Sequence, residues 1–212
     1  MRYYPIFLDI AGKPVVVIGG GGVALRKVEG LLGAGARVTV VSPDLHPDLR
    51  RLVGERRLRH EQREYREGDI EGYTLAIVAS DNQAVNAAVA HEGKQRGVWV
   101  NVVDDPDHCD FIMPSVVTRG DLTVAFSTSG GSPALARKMR EELETFLTEE
   151  YVLLLGLAAE VRSELREKAV QVEPGVWNAA LDGEVRNLLA QGRRAEAKDR
   201  LMRCLLQPAR ET

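Results

Sequence analysis

The chain has 212 residues, of which 44% are hydrophobic and 28% charged, and its formal net charge is −3. That balance is ordinary for a water-soluble domain and offers no global basic surface to nucleic acid. Two distant cysteines, Cys109 and Cys204, make no disulfide framework, which fits a reducing cytoplasm.

The N-terminal stretch MRYYPIFLDIAGKP is not a signal peptide, because Asp9 interrupts the apolar run and no small-residue cleavage site follows. VVVIG (Val15–Gly19) is a continuous β-branched run, typical of a strand buried on both faces. Ala24, Val28, Leu31 and Leu32 then recur at helical spacing, and Gly35 can stop that helix. RVTVVS (Arg37–Ser42) and LAIVAS (Leu75–Ser80) read as further buried strands. A helix from about Asn82 to Arg96 follows, with Val85, Ala88 and Val89 on one face, and VWVNVV (Val98–Val103) is another strand. Repeated β-α-β units imply an α/β, Rossmann-like, doubly wound parallel sheet with helices on both sides.

The pattern changes near Met113. SVVTRGDLTVAFST holds two alternating strands around Arg119-Gly120-Asp121, a hairpin signal. Ser132-Pro133 starts a helix, with Ser as cap and Pro at the first helical position. Its apolar stripe is Leu135, Met139, Leu143 and Phe146 or Leu147. Everything beyond Glu149 is helical in pattern, and its longest apolar run, YVLLLGLAA, is too short to span a bilayer. We expect a nucleotide-binding domain over 1–113, a small α+β dimerisation module over 114–148 and a helical domain over 149–212. A hairpin and one helix bury little core alone, so a second copy is the expected partner; packing on the same chain is the alternative.

Gly19-Gly20-Gly21-Gly22-Val23-Ala24 fits G-x-G-x-x-G/A, with Ala24 in the last place. It follows a strand and opens a helix, the context that gives the motif weight. Gly19, Gly21, Gly22, Val23 and Ala24 are therefore candidate dinucleotide ligands, with the helix N-terminus facing the pyrophosphate. The plainer reading is a glycine turn for close packing. The second strand ends in Ser42-Pro43-Asp44 rather than in an acidic residue. Ser42, Pro43 and Asp44 are the ribose candidates. No arginine stands there to clamp a 2′-phosphate, which favours NAD over NADP.

Downstream, NVVDDP (from Asn101) lies past a strand's carboxyl end, where ligands bind in open α/β sheets. FIMPS (from Phe111) and STSGGSPALAR (from Ser127) follow, the latter a hydroxyl-rich loop into a helix N-terminus. Together with PIFLDI and VVVIGGGGVALRK, these segments resemble the precorrin-2 dehydrogenase family, the NAD-dependent module of siroheme biosynthesis. Some of its members also act as sirohydrochlorin ferrochelatases. The resemblance spans roughly residues 3–150 in motif terms.

The resemblance implies oxidation of precorrin-2 to sirohydrochlorin with hydride passing to NAD, and iron insertion with ferrous ion as a further substrate in some members. Multifunctional relatives carry a uroporphyrinogen methyltransferase domain; a chain ending at Thr212 is expected to lack that activity. Asp104 matches the family's catalytic aspartate. Its chemistry also stands alone: dehydrogenation releases a proton, and metal insertion displaces two pyrrole protons, so a carboxylate base serves either step. Asp105 is the rival assignment, and a turn residue before Pro106 is the plainer one. By resemblance Asn101 faces the tetrapyrrole. Phe111 can pack on the macrocycle or belong to the core. Thr128 and Ser129 can bind substrate carboxylates, although the family often reads S-S-G-G there.

Asp107-His108-Cys109-Asp110 lacks the separated spacing of a closed zinc site, so no resident metal is expected. His108 as a transient iron relay and as an exposed loop residue are both open. The class that competes with an enzyme is an NAD-sensing regulatory dimer without catalysis. Asp104 at a strand end and the STSGG loop separate the two, since a sensor needs neither.

Overall fold

The computed structural model describes residues 3–206. The outermost residues of the expected first and last domains, 1–2 and 207–212, lie outside the described residues. The chain forms two compact units that divide between Met113 and Pro114.

The first unit is a five-stranded parallel sheet in the order β3-β2-β1-β4-β5. Its strands are β1 (Pro14–Ile18), β2 (Arg37–Val41), β3 (Arg59–Glu61), β4 (Leu75–Val78) and β5 (Trp99–Val102). Its helices are α1 (Gly22–Gly33), α2 (Pro47–Gly54) and α3 (Gln83–Arg96). The valine runs form buried strands because alternate side chains enter opposite faces. Val15 and Val17 join Val38, Val40, Leu75 and Ile77 in a core shared with Ala24, Val28 and Leu31 of α1. Val16 and Ile18 join Val41, Ala76, Val78, Val100 and Val102 in a second core, with Val89 and Ala90 of α3. The doubly wound sheet read from the sequence is the observed one.

Helix ends follow local chemistry. Asn82 caps α3 by accepting from Ala84 N at 3.0 Å and Val85 N at 3.3 Å. Gly97 closes it in the left-handed region, φ 68°. β3 and α2 are absent from the sequence reading. β3 carries Arg, His and Glu, with no apolar face, and pairs in parallel with β2, Thr39 opposite Arg59.

The second unit opens with an antiparallel hairpin, β6 (Ser115–Arg119) and β7 (Leu122–Phe126), with Arg119 opposite Leu122 across the turn. Then come α4 (Pro133–Phe146), α5 (Glu149–Glu167), α6 (Pro174–Ala180), α7 (Gly183–Ala190) and α8 (Arg194–Leu206). Ser132 caps α4 as its sequence suggests, accepting from Leu135 N at 3.2 Å. The unit's core joins Leu157, Val161 and Leu165 of α5 to Val185 and Leu189 of α7 and Ala197, Leu201 and Leu205 of α8. Cys204 packs partly buried against it. Among the described residues no helix is long and apolar enough to cross a membrane.

Candidate active site

In a parallel sheet every strand ends on the same edge. Gly19, Ser42, Ala79 and Asp104 therefore gather at one rim, past the carboxyl ends of β1, β2, β4 and β5. The chain crosses in opposite directions on either side of β1 and β4, which opens a crevice where open α/β sheets bind ligands.

The four glycines divide by what surrounds them. Gly19 has φ 111°, and a Cβ on it would sit 2.2 Å from the main-chain oxygen of Ala79. A Cβ on Gly20 would sit 2.0 Å from Asp44 O and 2.7 Å from Ser42 Oγ, and Gly20 O accepts from His46 N at 2.7 Å. These two let β1, β2 and β4 approach at the rim. Gly21 and Gly22 face open space, where a Cβ would meet nothing within 4 Å.

Gly21 caps α1 without a side chain, and the first bond of the helix runs from Leu25 N to Gly21 O, 3.0 Å. The N–H groups of Gly22, Val23 and Ala24 are thus free of helical partners and aligned with the positive end of the helix dipole. Together they make a cradle that fits a pyrophosphate. The motif itself fixes Gly19, Gly21 and Ala24; Gly20, a position it leaves unrestricted, has the tightest surroundings of the four glycines.

At the end of β2, Ser42 is buried and its hydroxyl donates to Asp44 O at 2.7 Å. Its carbonyl oxygen lies 2.9 Å from His60 Nε2. Ser42 thus shapes the turn, while Pro43 and Asp44 are exposed on the rim.

Asp104 is exposed and has φ 61°, one of four non-glycine residues in the left-handed region among those described. Such a conformation is rare without glycine and recurs at functional sites. Asp105 N donates to Val102 O at 3.3 Å, closing the turn on which Asp104 sits. Asp105, the rival, is less exposed as a residue than Asp104, and its carboxylate lies 2.8 Å from His108 Nδ1.

Asn101 is buried, and its amide donates to Phe111 O at 2.9 Å. Phe111 packs partly buried against the core under α1. Lys27, half-buried on α1, has its ammonium pushed below the usual lysine range by burial and then by Arg26, against the opposing pull of Asp104 and Cys109. A cation thus lies near the Asp104 turn, a neighbour the sequence reading did not single out. Among the described residues no three metal-ligating side chains converge.

Thr128 and Ser129 belong to the second unit. Thr128 Oγ1 lies 3.4 Å from both the N and the O of Ser132, so its hydroxyl ties the loop. Ser129 is exposed with φ 52°, and its N–H donates to Ser127 Oγ at 3.0 Å. Behind this loop Lys138 and Arg140 pair with Glu142 and Glu144 along α4, at 3.9 and 3.5 Å.

Residues 6–115 match the family model described as "Putative NAD(P)-binding", and residues 119–145 match that of the sirohaem biosynthesis protein central region. The chain is 38% identical over 213 residues to a siroheme synthase of Methylococcus capsulatus, covering 100% of this chain and 45% of that protein. It is 40% identical over 200 residues to a siroheme synthase of Pseudomonas paraeruginosa, covering 93% and 43%. The chain therefore spans less than half the length of these curated relatives. A solved structure of SirC, a precorrin-2 dehydrogenase, superposes with a TM-score of 0.76 at 28% identity, covering 95% of this chain and all of that one. The chain belongs to the NAD(P)-binding family of siroheme-biosynthesis proteins that its motifs resemble.

Proposed function

We propose that this family member oxidises precorrin-2 to sirohydrochlorin with NAD as hydride acceptor. The observation that carries the reading is one rim holding both a pyrophosphate cradle at Gly21–Ala24 and an exposed aspartate, Asp104, in a left-handed turn. NAD, when bound, supplies the hydride acceptor. Asp104 takes the proton that leaves with the hydride, so the substrate loses one hydride and one proton and the products are NADH and sirohydrochlorin. The N–H groups of Gly22, Val23 and Ala24 hold the pyrophosphate. Asp44 at the end of β2 takes the ribose hydroxyls, and its negative charge there disfavours a 2′-phosphate, hence NAD rather than NADP. Thr128 and Ser129 take carboxylates of the tetrapyrrole.

Iron insertion is a second reaction at the same carboxylate. Ferrous ion enters the macrocycle as two pyrrole protons leave, one taken by Asp104 and the other passing to solvent. The protein acts in the cytoplasm as a homodimer. Support for the dimer comes from α4, which buries no residue and leaves Leu135, Met139 and Phe146 exposed at 50%, 37% and 61%. A row of apolar side chains of this kind marks an interaction surface. On this reading residues 114–148 are the dimerisation module and 149–212 the helical domain, whose described part, up to residue 206, has its own core.

The test is to supply purified protein with precorrin-2 and NAD and follow NADH. NADH formation that requires precorrin-2 supports the reading. Its absence, in protein that binds NAD, overturns it.

A further inference from the structure

Among the described residues β5 is the last strand of the sheet, and one of its edges has no strand beside it. An unpaired edge leaves backbone donors and acceptors to be satisfied by something else. Here the chain itself returns to cover it. Asp110 N donates to Val100 O at 2.8 Å, and the Asp110 carboxylate accepts from Val100 N at 2.9 Å. Two residues further along, the edge groups of Val102 meet a thiol: Val102 N donates to Cys109 Sγ at 3.2 Å, and Sγ lies 3.1 Å from Val102 O. The same sulfur lies 3.2 Å from Asp105 O, and Asn101 Nδ2 reaches it at 3.5 Å.

We propose that Cys109 is a positioning residue for Asp104: its thiol bridges Val102 and Asp105, the residues on either side of the Val103–Asp104 turn, and so holds the turn in its left-handed form. This deepens the functional reading above and rests on it for its catalytic consequence. The argument is geometric. A left-handed aspartate persists only when its surroundings fix it. The turn's own clasp, Asp105 N to Val102 O, is long at 3.3 Å. Cys109 Sγ contacts both residues of that clasp from a segment already anchored by Asp110 to Val100, and Asn101 adds a tie from its amide to Phe111 O. His108, paired with Asp105, fastens the outer side. With the sulfur removed, the buried Val102 N–H has no acceptor there, and the turn is free to relax. Asp104 then swings from the position at which its carboxylate meets the substrate proton.

The test compares wild type with Cys109→Ala and Cys109→Ser, using two readouts. The first is amide hydrogen exchange at Val102 and Asp105, which needs no activity. The second is NADH formation from precorrin-2, resolved into kcat and KM. Serine keeps a donor and acceptor a few tenths of an ångström shorter. We expect exchange at both amides to rise about tenfold or more in Cys109→Ala and to stay near wild type in Cys109→Ser. We expect kcat to fall between about tenfold and a hundredfold in Cys109→Ala, with KM for NAD changed less than about twofold and most of kcat recovered by serine.

Unchanged exchange and unchanged kcat in Cys109→Ala would overturn the proposal. So would a fall in kcat that serine does not rescue and that comes with a matching rise in KM for NAD, since that pattern is general loosening. If wild type forms no NADH, the functional reading fails, and the exchange arm still decides whether the thiol holds the turn.

Discussion

A Cβ placed on Gly20 would lie 2.0 Å from the main-chain oxygen of Asp44, closer than any real contact, whereas one on Gly21 would touch nothing within 4 Å. Two adjacent glycines thus serve different ends. Gly20→Ala forces the β1 and β2 ends apart and is expected to destabilise the first unit by about 2 kcal/mol or more, as overpacking does. Gly21→Ala is expected to leave thermal unfolding within about 0.5 kcal/mol of wild type and to weaken NAD binding, because its methyl enters the phosphate space. Thermal melts and NAD titration check both. Equal stability loss in the two variants would contradict the division.

Asp182 caps α7, accepting from Val185 N at 2.9 Å, and also accepts from Arg200 at 2.5 Å. The Arg200 hydrogen bond holds its carboxyl below the usual range. A carboxyl depressed in the folded state adds stability above its unfolded value, about 3.9, and that stability is lost as pH falls through the folded value. The pair is partly exposed, so its share is below about 1 kcal/mol. Asp182→Asn keeps the cap and loses the pair; Asp182→Ala also loses the cap, a further cost of about 1 kcal/mol. Melts from neutral to acid pH should show a shallower acid decline in Asp182→Asn than in wild type.

Glu92, 2% exposed on α3, accepts from Tyr65 Oη and from Gly68 N at 2.9 Å, with Arg96 Nε 3.5 Å away. Burial, then the Glu92 hydrogen bond, pushes the Tyr65 phenol up. A raised acid favours folding below its unfolded value, about 10, and that favour is lost as pH rises through the folded value. Tyr65→Phe should cost about 1–3 kcal/mol at neutral pH and should abolish part of the alkaline loss seen in wild type. An unchanged alkaline profile would contradict this.

Most of this architecture is legible in the sequence because it rests on side-chain pattern. The valine runs of β1 and β2 and the apolar spacing of α1 are enough to place strand, loop and helix. β3 is not legible, since Arg59, His60 and Glu61 offer no apolar face and its place comes from backbone pairing to β2. α2 does carry a signal: Leu49 and Leu52, three residues apart behind Pro47 at the helix start, are buried, and His46 caps the helix.

In the site, the cradle is read from local order and Asp104 from the family resemblance. The ties that hold them are not, because the Ser42 hydroxyl, the Asn101 amide and the Cys109 sulfur all bond to backbone atoms that only the fold brings near. Asp107-His108-Cys109-Asp110 looks like a run of metal-binding residues, yet Asp110 and Cys109 bond to the free edge of β5.

On α4, Met139→Glu places a charge among Leu135, Leu143 and Phe146, the apolar row of that helix. Sedimentation is expected to show a dimer for wild type and a monomer for the variant, with the fold retained by circular dichroism. A wild type that stays monomeric at all concentrations would contradict the proposed dimer.

The most direct measurement is single-turnover oxidation of precorrin-2 by NAD in wild type and Asp104→Asn. Asparagine tolerates the left-handed turn and removes only the carboxylate. A general base contributes about 10²- to 10⁴-fold, so NADH formation should slow by that factor with NAD affinity unchanged. Wild-type rates in a folded Asp104→Asn would contradict the account and remove Asp104 from the chemistry.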